Sequence, residues 1–209
     1  MPKNRTETKD IFINYIKNNQ KEFVSVIILF FIGLILGVLC INNTSEIQKT
    51  EITNYVQNFI TELKENANID RLSLIKSSIQ KNFITTILLW FVGLAVISIP
   101  LVYLFIAFRG FCLGYTIASI VATLGNWDGI LFVASGILAQ NIIFIPCLLA
   151  LGVSGIKLYK CIKQKNGNIK AEICRHTFFS LFIFLLLIVT SFIETYVSSQ
   201  LLVQYIKYL

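Results

Sequence analysis

Apolar residues in this 209-residue chain collect in five runs that are separated by polar connectors. Helical runs of about 20 residues match the ~30 Å hydrocarbon thickness of a bilayer. The pattern therefore predicts an all-α, polytopic integral membrane bundle with five transmembrane helices. The predicted transmembrane helices cover residues 23–41, 83–108, 110–124, 129–156 and 177–197.

The composition agrees with this prediction. The chain is 56% hydrophobic and 14% charged, and its mean hydropathy is +0.73. A soluble domain needs more charge on its surface, so the composition does not favour that class. We expect membrane lipids as surroundings and no nucleic-acid partner.

The third run, residues 110–124, is short for a span, and by length alone it could form a re-entrant hairpin. The positive-inside rule favours a full crossing. If all five runs cross, the basic head 1–22, Arg109 and the basic connector 157–176 all face the cytoplasm. We therefore predict a multi-pass cell-membrane protein with a cytoplasmic N-terminus, an extracytoplasmic tail at 198–209, and Arg109 as a topology anchor at the inner boundary.

The segment 42–82 is the predicted extracytoplasmic loop. Apolar residues recur in it at helical spacing, which predicts a short amphipathic helix followed by a second one. The stripe could lie on the outer leaflet or on the chain's own bundle, or it could dock an extracytoplasmic partner. The candidate docking residues are Tyr55, Val56, Phe59, Ile60 and Leu63.

Small residues recur within the runs at the spacing that allows membrane helices to pack closely. One pair lies in the first run and a four-residue stripe lies in the third. We predict that these residues form helix-packing faces. They are Gly33 and Gly37 in the first run, and Gly110, Gly114, Ala118 and Ala122 in the third.

Two neighbouring amides, Gln140 and Asn141, interrupt the fourth run, and Pro146 follows them. An amide that faced lipid would leave its donors and acceptors unsatisfied. The amides could hydrogen-bond a neighbouring helix, or they could line a solute path. Pro146 frees the carbonyl of Ile142, which an amide or a hydroxyl could then satisfy.

The sequence predicts no enzymatic activity, catalytic residue, cofactor or metal. The chain has one histidine, His176, which with Cys161 and Cys174 lacks the tight spacing of a zinc site. No phosphate-binding loop of the GxxxxGKS type is present, and we expect no nucleophile–histidine pair across the membrane centre.

Ionisable residues are few in the predicted spans. Glu194 is expected near the outer boundary and Asp128 in the turn "GNWDG", and the sequence leaves the roles of both open. Ion-coupled transporters usually carry charged groups near the midplane. Only neutral amides are expected there in this chain, which disfavours a coupled pump.

Two stretches resemble stage II sporulation protein M of endospore-forming bacteria. They are "RGFCLGYTIASIV", residues 109–121, and "AQNIIFIPCLLALGVSG", residues 139–155. The order of basic head, span, outer loop and further spans is also similar. The wider superfamily has a histidine at the position of Gln140 and an acidic residue at that of Phe144, so the resemblance favours the sporulation branch.

The resemblance implies a non-enzymatic membrane scaffold of the engulfment machinery. It would recruit and position two membrane-anchored peptidoglycan hydrolases, the stage II sporulation proteins D and P, at the septum. It would act on the mother-cell side during forespore engulfment.

Two other functions are compatible with the sequence. One is a channel- or permease-like subunit that moves a small solute or a lipid past Gln140 and Asn141. The other is a lipid-organising protein that acts through the basic connector on anionic headgroups. The sequence leaves homodimerisation open.

Overall fold

The structure, a computed structural model, describes residues 17, 19–65, 70–95, 97–164 and 168–206. These residues are almost entirely helical and include no strand, so the all-α prediction is confirmed. Two short π-helical segments, Ala134–Leu138 and Glu194–Ser198, interrupt otherwise continuous helices. The α-helices are α1 Gln20–Asn42, α2 Glu46–Glu65, α3 Arg71–Leu94, α4 Ser98–Leu124, α5 Asn126–Val133, α6 Ala139–Gln164, α7 Ile169–Ile193 and α8 Ser199–Ile206.

Four helical segments in the described part of the chain are long and apolar enough to cross a membrane. The chain is therefore a membrane-integral protein, but with four candidate spans and not clearly the predicted five. The four are Gln20–Asn42, Ser98–Leu124, Gln140–Gln164 and Ile169–Ile206.

The predicted second and third runs, 83–108 and 110–124, are wrong in their bounds. The chain breaks after Leu94, and α4 then continues without interruption from Ser98 to Leu124. Pro100 lies in the first turn of α4, where its missing N–H removes no hydrogen bond because first-turn N–H groups have no partner within the helix. The proline therefore starts a helix instead of kinking one.

The connectors also differ from their predicted bounds. The predicted loop 42–82 contains α2 and the first half of α3, whose N-terminus is capped by Asp70. The predicted basic loop 157–176 is mostly helical, because α6 extends to Gln164 and α7 begins at Ile169. Most of the head 1–22 and the residues 207–209 lie outside the described residues.

The long helices alternate in direction. Helix α3 runs antiparallel to α7, since Trp90 contacts Thr177 near one end and Ser78 contacts Glu194 near the other. Helix α6 is also antiparallel to α7. We call the end that carries α2 the outer end, and the end with the turn between α3 and α4 the inner end.

Helices α1 and α4 are parallel and lie in close contact through glycines. A Cβ added at Gly33 would collide with the Ala107 carbonyl, and one added at Gly114 would collide with the Leu34 carbonyl. Gly37 and Gly110 are equally enclosed by backbone atoms. These four predicted residues thus let the two backbones approach.

The predicted stripe does not keep this packing along all of α4. Ala118 is half-buried and Ala122 is exposed. The close contact between α1 and α4 therefore uses the glycines and ends before Ala122.

The inner end is tightly packed. A Cβ added at Gly155 would lie 3.1 Å from the Cα of Gly93. His176 is 2% exposed, and its Nδ1 lies 2.8 Å from the Ser154 hydroxyl oxygen. The sequence did not reveal this contact, because the two residues lie in different helices on either side of the basic connector.

The outer end is covered by α2. Val56 and Ile60 are buried there in a cluster with Ile120, Phe132 and Ile206. The predicted amphipathic helix therefore packs on the chain's own bundle through one side of its apolar stripe.

Candidate functional site

A polar cavity of about 270 Å³ lies between α3, α4, α6 and the π-helical segment Glu194–Ser198. Its lining brings together charged and amide side chains that are far apart in the sequence. Polar groups in a membrane bundle are costly unless they are paired, and they mark sites of function more often than surface residues do. The main polar residues of the lining are Ser78, Lys81, Asn82, Arg109, Gln140 and Glu194.

Arg109 lies about 16 Å along α4 from Ser98, in the interior of a 27-residue helix. The prediction of an anchor at an inner boundary is wrong. The charged residue lowers the local hydropathy, which suggested the end of a span, but the helix continues through it. Arg109 Nη2 donates to Thr85 Oγ1 at 2.7 Å. The guanidinium also lies over the rings of Phe105 and Phe144, at 6.0 and 5.3 Å from their centroids, which adds cation–π attraction.

Glu194 is held by two donors from different helices. Gln140 Nε2 donates to its Oε2 at 2.9 Å, and the Ser78 hydroxyl donates to the same oxygen. Glu194 also begins the second π-helical segment, and π-helical turns are frequent at functional sites. In the sequence, Glu194 stands out as a carboxylate at the end of an apolar run. That pattern identified the residue, but it did not identify the side chains that bind it.

Asn82 is a site residue that was not predicted from the sequence, because it lay inside the predicted outer loop. It is 3% exposed, and its Nδ2 donates to Leu187 O at 3.0 Å and to Ser191 Oγ at 2.9 Å. The available signal was a helical spacing of polar and small residues along α3. The buried residues of that stripe are Ser78, Asn82, Thr85, Thr86, Leu89 and Gly93.

The two amides of the fourth run have different roles. Gln140 joins α6 to Glu194, whereas Asn141 Nδ2 donates to Ile137 O at 2.8 Å within its own helical turn. Both residues line the polar cavity. Pro146 lies inside α6 without ending it. Among the described residues, therefore, Gln140 is the one of this pair that makes a hydrogen bond to another helix.

The charges in the cavity do not balance. Arg109 and Lys81 carry two positive charges and Glu194 carries one negative charge. Among the described residues, no carboxylate lies within ion-pair distance of Arg109. The expectation that only neutral amides lie near the midplane is therefore wrong, and charge-dependent transport is no longer disfavoured on that ground.

A second, larger cavity of about 840 Å³ forms a groove between α2 and the outer part of the bundle. Its roof is mostly apolar and includes Val56, Leu63 and the exposed Tyr55 and Phe59, but the charged residue Glu51 of α2 also lines it. We call it the outer groove. The outer groove and the polar cavity share lining residues, namely Thr116, Ile137, Gln140 and Glu194.

The remaining ionisable candidates lie elsewhere. Asp128, at the outer end, accepts a hydrogen bond from the Tyr205 hydroxyl at 3.1 Å. In the part of the chain that the structure describes, no group of three His, Cys, Asp or Glu side chains could hold a metal ion.

Comparison with known proteins gives one family. The family model described as stage II sporulation protein M matches residues 26–199. An uncharacterized protein of Methanocaldococcus jannaschii is 26% identical over 184 residues, which cover 85% of this chain and 94% of that protein. No solved structure matches the chain.

Proposed function

This chain belongs to the stage II sporulation protein M family, and we propose that it is a non-enzymatic membrane scaffold of the engulfment machinery. It would recruit membrane-anchored peptidoglycan hydrolases, the stage II sporulation proteins D and P, to the septum on the mother-cell side. Family membership supports a sporulation-related membrane protein. The hydrolases and the septum are what the family resemblance implies.

The observation that carries the scaffold role is the exposed face of α2. Val56 and Ile60 fix the helix to the bundle, while Tyr55 is 76% and Phe59 is 45% exposed. Aromatic side chains on a rigid support are typical anchors of protein interfaces. The helix is therefore held to the bundle by one side of its apolar stripe, and the adjoining side leaves these two aromatic rings exposed at the edge of the outer groove.

The test is recovery of the two hydrolases with the purified chain after Tyr55→Glu plus Phe59→Glu. A matched control is Gln57→Glu plus Thr61→Glu, which adds the same charge at exposed positions of α2. We expect the first pair to lose the hydrolases and the control to retain them. Undiminished recovery with the first pair would contradict the assignment of this surface.

A channel- or permease-like subunit is the second candidate, and it is favoured by the charged cavity. Changing both Gln140→Leu and Asn141→Leu separates the two functions. A scaffold that relies on these amides should lose hydrolase recovery. A pore should stay assembled and lose efflux of preloaded phosphate or glycerol from proteoliposomes.

A further inference from the structure

The polar cavity and the outer groove adjoin each other. Thr116, Gln140 and Glu194 line both of them, so a molecule in the groove can reach the charged residues below. The groove alone, at about 840 Å³, falls within the range of ligand sites in proteins, roughly 300–1,000 Å³.

At the charged end of this space, no carboxylate among the described residues lies within ion-pair distance of Arg109. Glu194 already accepts hydrogen bonds from Ser78 and Gln140, whereas Arg109 donates one described hydrogen bond, to the neutral hydroxyl of Thr85. A guanidinium offers five N–H donors. In a region of low dielectric constant an uncompensated cation is costly, so a bound anion beside Arg109 would stabilise the site.

The other end of the space is suited to a hydrocarbon chain. Ile52, Val56 and Leu63 of α2 face Ile120 and Phe132 of the bundle across the groove. Burial of an apolar chain between these side chains is favourable by roughly 0.8 kcal/mol per CH₂. The groove also carries the carboxylate of Glu51, which disfavours a second anionic group at that end. The complete space therefore matches a molecule with one anionic group, at the end of Arg109 and Lys81, and one apolar tail.

We propose that the polar cavity and the outer groove together bind one anionic phospholipid, with its phosphate at Arg109 and Lys81 and an acyl chain in the groove. A phosphodiester presents several acceptor oxygens, which suit the forked donors of arginine together with a lysine. Phospholipids are also the anions with apolar chains that surround every membrane helix.

The test is native mass spectrometry of the full chain in detergent, titrated with phosphatidylglycerol. Phosphatidylcholine with the same chains and inorganic phosphate serve as the comparison ligands. We expect one phosphatidylglycerol to be retained at concentrations at which phosphatidylcholine is lost. Inorganic phosphate at the same concentrations should not displace it.

Two variants remove different parts of the site. Arg109→Gln removes the cation, and we expect an affinity loss of about tenfold or more. Thr116→Trp fills the junction of the two cavities without touching a charge, and should also abolish retention. This second variant carries the test if the first fails to fold.

Two matched controls separate binding at this site from an effect of added bulk and from attraction to surface charge. Leu104→Trp introduces the same indole side chain at an exposed position of α4, and Lys163→Gln removes one cation from the basic connector. Both should bind phosphatidylglycerol like the unaltered chain. Loss of binding in Lys163→Gln would place the lipid at the connector and overturn the proposal.

Three further results would also overturn the proposal. They are equal retention of phosphatidylcholine, displacement by inorganic phosphate alone, and unchanged binding when both Arg109→Gln and Thr116→Trp are folded. The measurement uses no partner protein, so its failure leaves hydrolase recovery, and with it the scaffold proposal, unaffected.

Discussion

The two faces of α4 differ in how closely they are packed and in how polar they are. One face places Gly110 and Gly114 against the backbone of α1, with no space for a methyl group. The other places Arg109 beside a cavity of about 270 Å³. Arg109 and Gly110 are neighbours in sequence. Two consecutive residues of α4 therefore face a polar cavity and a closely packed helix contact, respectively.

This difference shows how stability and function are separated in the bundle. Close backbone contact needs only small residues at regular spacing on two helices. The cavity needs side chains from several helices whose hydrogen bonds satisfy one another. Adding volume at the contact between α1 and α4 should therefore lower the free energy of unfolding. In the polar cavity, removing a single polar group should lower it.

The largest effect should come from filling the closed face. Gly114→Leu places a side chain where a Cβ already collides with Leu34, so we expect a loss of at least about 2 kcal/mol in the free energy of unfolding. Titration with SDS in mixed micelles measures it. The control Ala122→Leu adds similar bulk at an exposed position of the same helix and should change little. Equal losses in the two variants would contradict the proposed packing.

A smaller effect should follow from Gln140→Leu, which removes a donor to Glu194. We expect a loss of about 1–2 kcal/mol in the free energy of unfolding, because the carboxylate keeps one donor and is left partly unsatisfied. Asn141→Leu is the matched control, since it breaks only a bond within its own helix. If Asn141→Leu destabilises as much, the hydrogen bond between helices is not the cause.

Thr85→Val tests the support of Arg109 without removing the cation. The variant has a similar shape but cannot accept the hydrogen bond from Nη2, so we expect a loss of about 1 kcal/mol in the free energy of unfolding. Thermal unfolding in detergent would show it. Thr123→Val, a half-buried threonine of α4 that bonds only within its own helix, is the control. An unchanged midpoint in Thr85→Val would mean that the cavity does not depend on this contact.

The smallest effect should come from the ion pair between Glu22 and Lys160 near the inner end. Lys160 is 47% exposed, and ion pairs of this kind contribute at most about 1 kcal/mol. Glu22→Gln should therefore shift thermal unfolding slightly, and added salt should remove the difference between variant and unaltered chain. A large loss of thermal stability that added salt does not remove would show that this ion pair is shielded from solvent, like the contacts of the polar cavity.

The sequence contained enough information for the helical class and for the small-residue faces of α1 and α4, although not for their contact with each other. Apolar runs reveal which segments prefer lipid, and the four-residue spacing of Gly33 with Gly37 and of Gly110 with Gly114 is typical of close helix packing. The amphipathic pattern that predicted α2 also lies within a single segment of the sequence. In each case the signal lies within one helix, where a periodic pattern can be read without knowledge of its neighbours.

The rest could not be predicted, because the necessary signals are weak or lie in different helices. The turn after Leu94 lies in an apolar stretch, so hydropathy does not fall where the helix breaks. Arg109 produces a fall in hydropathy where no break occurs. Asn82, Gln140 and Glu194 are brought together only by the packing of three helices, and no spacing in the sequence reports their contact.

The packing of the inner end has a consequence for permeation. Leu148, Leu151, Ile156 and His176 are each at most 2% exposed, and they lie between the polar cavity and the inner end. In this conformation a molecule that enters the cavity from the outer groove meets a barrier of closely packed side chains. Passage across the membrane would require the helices to separate at Gly93 and Gly155, whereas residence in the cavity requires no such movement.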